Sequence, residues 1–167
     1  MKLNRVKIRN FRGILEQEFN AHPYTLIVGA NNGGKSTVID CNRAFYEKDG
    51  YKFKEASDFP LVATADKESW IEMEFALTDE EHDSLANEYK TATKNLRVRK
   101  FFKTTQKNAD GKSCAGSIFG YKTDGTLSDA PFYGAKNVQS GKFGDLVYIP
   151  ALSKVDEHTK LSGPSAL

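Results

Sequence analysis

Scarcity says much about this chain of 167 residues. Cysteine occurs twice, at Cys41 and Cys114, with no spacing that suits a metal site or a redox pair. A disulfide scaffold is therefore excluded, and reduced thiols in the cytoplasm are the expectation. No apolar run approaches the roughly 18 residues of a membrane-spanning helix, so no membrane partner is expected. The opening Met1-Lys2-Leu3-Asn4-Arg5 leads into alternating residues instead of an apolar secretory core. Neither sign of charge dominates: 24 Lys and Arg meet 22 Asp and Glu, a net of +2. That balance excludes a general coat for nucleic acid but is compatible with a local basic patch. With 39% hydrophobic residues, among them 11 Phe and 7 Tyr, the chain can pack a core, and disorder is excluded.

Hydropathy patterning predicts strands first. Lys2 to Arg9 and Ile14 to Phe19 read as two strands joined by the turn Asn10-Phe11-Arg12-Gly13. After His22-Pro23, Tyr24 to Val28 is a short apolar run of the type found in buried parallel strands. A glycine-bearing loop follows, and from Lys35 to about Tyr46 the pattern is helical, with Val38, Ile39, Ala44 and Phe45 on the apolar stripe. Residues 47 to 68 read as a long connection. Trp70 to Leu77 alternates cleanly: Ile71, Met73, Phe75 and Leu77 on one face, Glu72 and Glu74 on a solvent face. Thr78-Asp79-Glu80-Glu81 fits a capping box, which predicts a helix to about Tyr89. Further strands are expected at Leu96 to Lys103 and Ser117 to Tyr121, and a last apolar run, Leu146 to Ile149, stops at Pro150. Residues 1–46 thus form strands, loop and first helix, and 69–150 a β-rich lobe of an α/β fold.

The motif that carries chemistry is Gly29-Ala30-Asn31-Asn32-Gly33-Gly34-Lys35-Ser36, which fits G-x-x-x-x-G-K-[ST] at every fixed position. An apolar strand enters it and an amphipathic helix leaves it, as a phosphate-binding loop requires. Glycines let backbone N–H groups turn inward as an anion nest, and the helix start adds unpaired N–H groups with a positive dipole end. Lys35 is placed to reach β- and γ-phosphates, Ser36 to hold Mg²⁺, and Thr37 to bond the α-phosphate of ATP.

Lys7 to Gly13, followed by Leu26 to Thr37, resembles the N-terminal lobe of the RecF/SMC-like ABC ATPases, a P-loop NTPase fold with a small antiparallel β sub-lobe. Within that group residues 1 to 46 look most like the overcoming-lysogenization-defect (OLD) family. A looser likeness runs from Leu146 to Leu167. The resemblance implies an ATPase split in sequence and followed by a C-terminal Toprim nuclease. It implies a homo-dimer or higher oligomer joined through the ATPase heads, action on nucleic acid, and service in anti-phage defence with a partner protein or an RNA or DNA component. It also implies phosphate contacts for Arg12 and Asn32; the alternative for Arg12 is an ordinary surface turn. A RecF- or SMC-like repair ATPase and a non-hydrolytic nucleotide-sensing or nucleic-acid-binding module are the competing readings.

Several expected parts are missing. Leu146 to Ile149 ends at a proline rather than at the Asp-Glu of a Walker B strand, and Asp156-Glu157 come too late. Leu161-Ser162-Gly163 starts like the ABC signature, but Pro164 replaces the next glycine and lacks its N–H. Gln139 and His158 read as solvated residues, and no Toprim acidic cluster is present. The chain is therefore expected to be the N-terminal portion of an ATPase domain, with catalytic residues elsewhere and little activity alone. From Thr91 to Ala109 the charges are all basic, with Arg97, Arg99, Lys100 and Lys103 interleaved with Phe101 and Phe102. Two readings stand: a groove tracking a nucleic-acid backbone, or an edge strand kept soluble by its charges.

Overall fold

The computed structural model describes residues 1–47, 50–133 and 144–149. Gln139, Asp156, Glu157, His158 and the 161–163 segment lie outside the described residues.

Two-residue alternation builds a single five-stranded antiparallel sheet. Its strands are β1 (Lys2–Phe11), β2 (Ile14–Asn20), β3 (Ser69–Ala76), β4 (Asn95–Lys103) and β5 (Ile118–Gly120), in the order β2-β1-β3-β4-β5. The β1–β2 hairpin closes on the pair Phe11↔Ile14, so Arg12 and Gly13 form its tip. Asn10 and Arg12 both take positive φ, 47° and 50°, which twists the end of β1 enough to bury Phe11 beside the even-numbered residues. Asn10 is buried, and its side-chain amide donates to Asp66 Oδ1 at 3.0 Å and to the Glu68 carbonyl at 2.7 Å. Those two bonds tie the hairpin to the segment that leads into β3.

One face of the sheet carries Val6 and Ile8 of β1, Ile71, Met73 and Phe75 of β3, and Leu96 and Val98 of β4, all buried. α1 (Lys35–Tyr46) lies on this face and inserts Cys41, Ala44 and Phe45 into the core. A short helix, α2 (Glu55–Asp58), closes one side, where Phe53 stacks on Phe102 with ring centroids 5.3 Å apart. The other face alternates in charge by strand. The register pairs Glu18 with Lys7, Lys7 with Glu72, and Glu72 with Arg99. A second small core of Trp70, Phe101, Cys114 and Phe119 covers part of that face.

Several expectations are corrected. Tyr24 to Val28 pairs with no strand among the described residues, and Tyr24 (81%), Leu26 (68%) and Val28 (76%) are exposed. Its apolar character is that of a sheet interior, but the described sheet is antiparallel throughout and ends at β2 and β5, neither of which it joins. Ile39 is exposed as well, because α1 meets the sheet through Cys41, Ala44 and Phe45. The capping box is present, with Thr78 and Glu81 bonding reciprocally, but the helix it starts, α3 (Asp79–Asp83), is only five residues long. The chain leaves the helix there and drops Leu85 and Tyr89 into the core, Tyr89 meeting Phe132 edge-on at 5.1 Å. Over Val98 to Lys100, β4 is an interior strand, not an edge, since β5 pairs with it there. Val147 and Ile149 of the last apolar run are exposed and outside any strand.

Gly120 has no room for a side chain: a Cβ there would sit 2.6 Å from Tyr89 Cε1 and 3.1 Å from Phe132 Cδ2. Both rings are packed, so Gly120→Ala is expected to cost about 1–3 kcal/mol in a denaturant titration. A loss under a few tenths of a kcal/mol would contradict this packing.

Candidate nucleotide-binding site

The loop from Gly29 to Ser36 follows Tyr24 to Val28 and turns into α1. Gly33 N–H donates to the Ala30 carbonyl at 3.0 Å, closing the loop on itself. A Cβ on Gly33 would approach that carbonyl oxygen to 2.9 Å, so the position admits no side chain. Gly34, with φ 84°, is the N-cap of α1 and supplies no side-chain cap, and the first turn holds no acidic residue. The first N–H groups of α1 are therefore left without a side-chain acceptor and with an uncompensated positive dipole end. That is the chemistry of an anion seat, and it fits the polyphosphate of ATP.

Asn31, Asn32, Gly34, Lys35, Ser36 and Thr37 line a hollow of about 580 Å³. Lys35 is folded against its own loop, Nζ donating to the Gly29 carbonyl at 2.8 Å and the Ala30 carbonyl at 2.7 Å. Gly29 thus serves the site through its carbonyl rather than by lining the hollow. Ser36 is exposed and lines the hollow, where its hydroxyl suits Mg²⁺ beside a bound nucleotide. Of the residues that the sequence singled out for the loop, all but Gly29 and Gly33 line the hollow.

Arg12 sits beside α1, on none of the hollow's walls, and every arm of its guanidinium is engaged. Nε donates to Asp58 Oδ1 at 2.8 Å, Nη1 to Asp40 Oδ2 at 2.7 Å, and Nη2 to the Tyr51 hydroxyl at 2.6 Å. Its backbone N–H also donates to the Asp58 carbonyl at 2.6 Å. Burial, the largest single influence, pulls the Arg12 pKa down, yet the hydrogen bonds to Asp58 and Asp40 together raise it above its ordinary value. Arg43 donates to the other oxygen of Asp40 at 3.1 Å and lies over the Tyr51 and Tyr148 rings at 4.8 and 4.2 Å. Hairpin tip, α1 and the connection before β3 are therefore joined by one charged cluster. Asp40 and Asp58 were not evident in the sequence. Asp40 stands four residues after Ser36, on the helix flank that turns toward Arg12, and Asp58 belongs to a stretch without periodicity.

Burial removes cysteine from consideration as a nucleophile: it pushes the Cys41 thiol well above its ordinary pKa and raises that of Cys114.

Much of the basic stretch is engaged within the fold. Lys100 points to the core face with Leu96 and Val98, is 3% exposed, and cannot contact a nucleic acid from there. Burial is the chief influence on its pKa, lowering it against the opposing pull of Glu47. Arg99 Nε donates to Glu72 Oε2 at 2.8 Å, and its guanidinium lies 4.0 Å above the Trp70 ring. Lys103 is ion-paired to Glu55, and Arg97 lies 3.6 Å over the Tyr121 ring. Glu72, expected at a solvent face, is buried between Arg99 and the Tyr121 hydroxyl, which donates to it. Along β4, then, Lys100 is buried, Arg99 and Lys103 are ion-paired, and Arg97 stacks on a tyrosine ring.

A glycine loop closing into an uncapped helix over an antiparallel sheet fits a P-loop ATPase head. Residues 1–138 match the AAA ATPase domain family, and the chain belongs to it. It provides the ATP-binding, N-terminal region of such a head. Its fold is similar to that of an SMC ATPase described for ATP-driven dimerization and DNA-stimulated activation: TM-score 0.51, 12% identity, 84% of this chain against 76% of that one. It is also similar to the SMC head domain from Thermotoga maritima (TM-score 0.46, 20% identity, 84% of this chain, 41% of that one). A third likeness is to the ATP-bound recombination mediator RecF of the RecFOR pathway (TM-score 0.45, 14% identity, 81% and 30%). This chain spans less than half of the latter two. No sequence among the curated proteins matches it. No helix of the described residues is long and apolar enough to cross a membrane.

Burial, aided by the bond to Glu72, pushes the Tyr121 phenol up to about 12 from an ordinary 10. The folded protein keeps this proton where the unfolded chain loses it, so stability is full below pH 10 and falls as the pH climbs toward about 12. Tyr46, raised to about 12 by burial, adds to the same fall. Tyr121→Phe is expected to flatten the decline over this window in chemical-denaturation curves. A decline as steep as in the wild type would show that Tyr121 is not the group responsible.

Proposed function

We propose that this chain is the nucleotide-gripping part of an OLD-family ATPase. In the full-length protein, ATP with Mg²⁺ is hydrolysed between paired heads and controls a C-terminal Toprim nuclease that cuts nucleic acid in defence against phage. The observation that carries the nucleotide part is the uncapped first turn of α1 behind a loop whose Gly33 excludes a Cβ. The family part rests on the Asn10-Phe11-Arg12-Gly13 hairpin tip followed by Leu26 to Thr37.

In this reading the loop amides from Asn31 to Lys35 receive the phosphates, with Asn32 beside the terminal one. Lys35 exchanges its two carbonyl partners for the β- and γ-oxygens, Ser36 takes the metal, and Thr37 bonds the α-phosphate. When bound, ATP and Mg²⁺ supply an activated phosphoryl group; the residues here seat and orient it. Arg12 reaches the phosphates only by giving up one of its carboxylate partners. The Walker B acid, the base for water and the signature segment are supplied from elsewhere in the full-length protein, including a second copy. A RecF/SMC-like repair ATPase is the second reading, favoured by the fold likeness to the SMC ATPase. It requires a coiled coil downstream in place of Toprim carboxylates.

Lys35→Ala is expected to weaken Mg-ATP binding at least about tenfold, the scale of lost charged hydrogen bonds, with the melting temperature unchanged. Titration calorimetry beside a thermal melt reads both, and an unaltered affinity would overturn the site. Arg12→Ala is expected to lower the melting temperature by several degrees, because it takes from the buried Asp58 carboxylate its only ion-pair partner among the described residues. A melt that matches wild type would contradict that.

A further inference from the structure

α1 presents its first turn to the nucleotide, and its far end is held in an unusual way for a sheet-packed helix. Lys100 extends from the core face of β4, between the registers Ile71↔Lys100 and Lys100↔Ile118, to the last turn of α1. There Nζ donates to the Ala44 carbonyl at 3.1 Å, to the Phe45 carbonyl at 2.9 Å and to Glu47 Oε1 at 2.9 Å. An ammonium has three N–H donors, and all three have acceptors. Glu47 is the left-handed C-cap, φ 52°, whose own N–H closes on the Arg43 carbonyl. The end of α1 is therefore completed from the sheet.

We propose that Lys100 is a positioning residue for the phosphate loop: it fixes where α1 sits along its axis, and thereby where the first-turn amides stand relative to bound nucleotide. This rests on the nucleotide reading above. The apolar stripe of Cys41, Ala44 and Phe45 holds α1 against the sheet but is non-directional and permits sliding. The directed contacts that resist sliding are Arg12 on Asp40, midway, and Lys100 on the terminal carbonyls. Lys100 cannot act on phosphate as a charge. Twelve residues at about 1.5 Å each place the two ends of α1 roughly 18 Å apart, beyond the reach of a terminal helix charge. Stability alone does not account for it either, since apolar replacement of a buried ion pair is commonly neutral or favourable. What a methionine in its place would lose is direction.

The experiment uses the full chain with Lys100→Met, Glu47→Gln and Val98→Ala. Val98 lies on the same face of the same strand but belongs to the general core. Amide hydrogen exchange without nucleotide and Mg-ATP titration are measured on each folded variant. The expected result for Lys100→Met is at least about tenfold faster exchange over residues 38–42 with β1 and β3 still protected, and Mg-ATP binding about tenfold weaker. Glu47→Gln, which spares the core, is expected to move both in the same direction by less, and it decides the matter if Lys100→Met does not fold. Val98→Ala is expected to lower the melting temperature while keeping wild-type affinity. Wild-type exchange in both Lys100→Met and Glu47→Gln overturns the proposal, as does an equal loss of affinity in Val98→Ala. A wild-type protein that binds no Mg-ATP overturns the nucleotide reading instead, and exchange over α1 then decides the placement by Lys100 on its own.

Discussion

The pairing of β1 with β3 at the centre of the sheet is the constraint on which the remaining structure depends. Its register sets Ile8 against Ile71 and Val6 against Met73 on one face, and Lys7 against Glu72 on the other. A slip of one residue would turn charges into the core and apolar side chains into water, so the alternation of these two strands permits one register. β4 inherits it through Val98↔Met73, and with it the placement of Lys100 among the buried side chains. α1 then packs on the apolar face over β1 and β3. The phosphate loop is in this sense the last link in a chain of dependencies that starts with two strands.

Around that sheet the charged groups act as fasteners. Asn10 and Arg12 at the hairpin tip secure the long connection through Asp66 and Asp58, and Asp40 joins the tip to α1. Most of these partners are far apart in sequence, so their contribution exists only in the folded state. Hydrophobic burial brings the elements together without fixing their angles, and the bonded charges supply the angles. The glycines of the loop have the opposite duty: Gly33 leaves space for a carbonyl that a side chain would displace.

Much of this was legible in the sequence because it is local or periodic. The five strands, α1 and the Thr78 capping box follow from alternation, helical spacing and a four-residue motif, and the phosphate loop is a contiguous pattern. What resisted reading is non-local. Nothing near Arg12 announces Asp58, and the end of α3 is set by the need of Leu85 and Tyr89 to reach the core. Tyr24 to Val28 has the composition of an interior strand, yet pairing depends on neighbours that composition does not specify. Lys100 is different, for its even position beside Leu96, Val98 and Phe102 carried the signal. Grouping it with Arg97 and Arg99 as one basic run hid the parity.

The polar face of the sheet has a further consequence, at long range. Acidic β2, basic β1, acidic β3 and basic β4 form parallel stripes of alternating sign, one strand spacing apart, about 4.8 Å. Potentials from so fine a grating cancel within a few ångströms, well inside the screening length of about 8 Å at physiological salt. An approaching polyelectrolyte would meet an electrically quiet surface despite the density of charge on it. The head is thus highly charged at contact and nearly neutral at a distance on this side, whereas the uncapped turn of α1, with no acidic residue in it, keeps its positive end unbalanced.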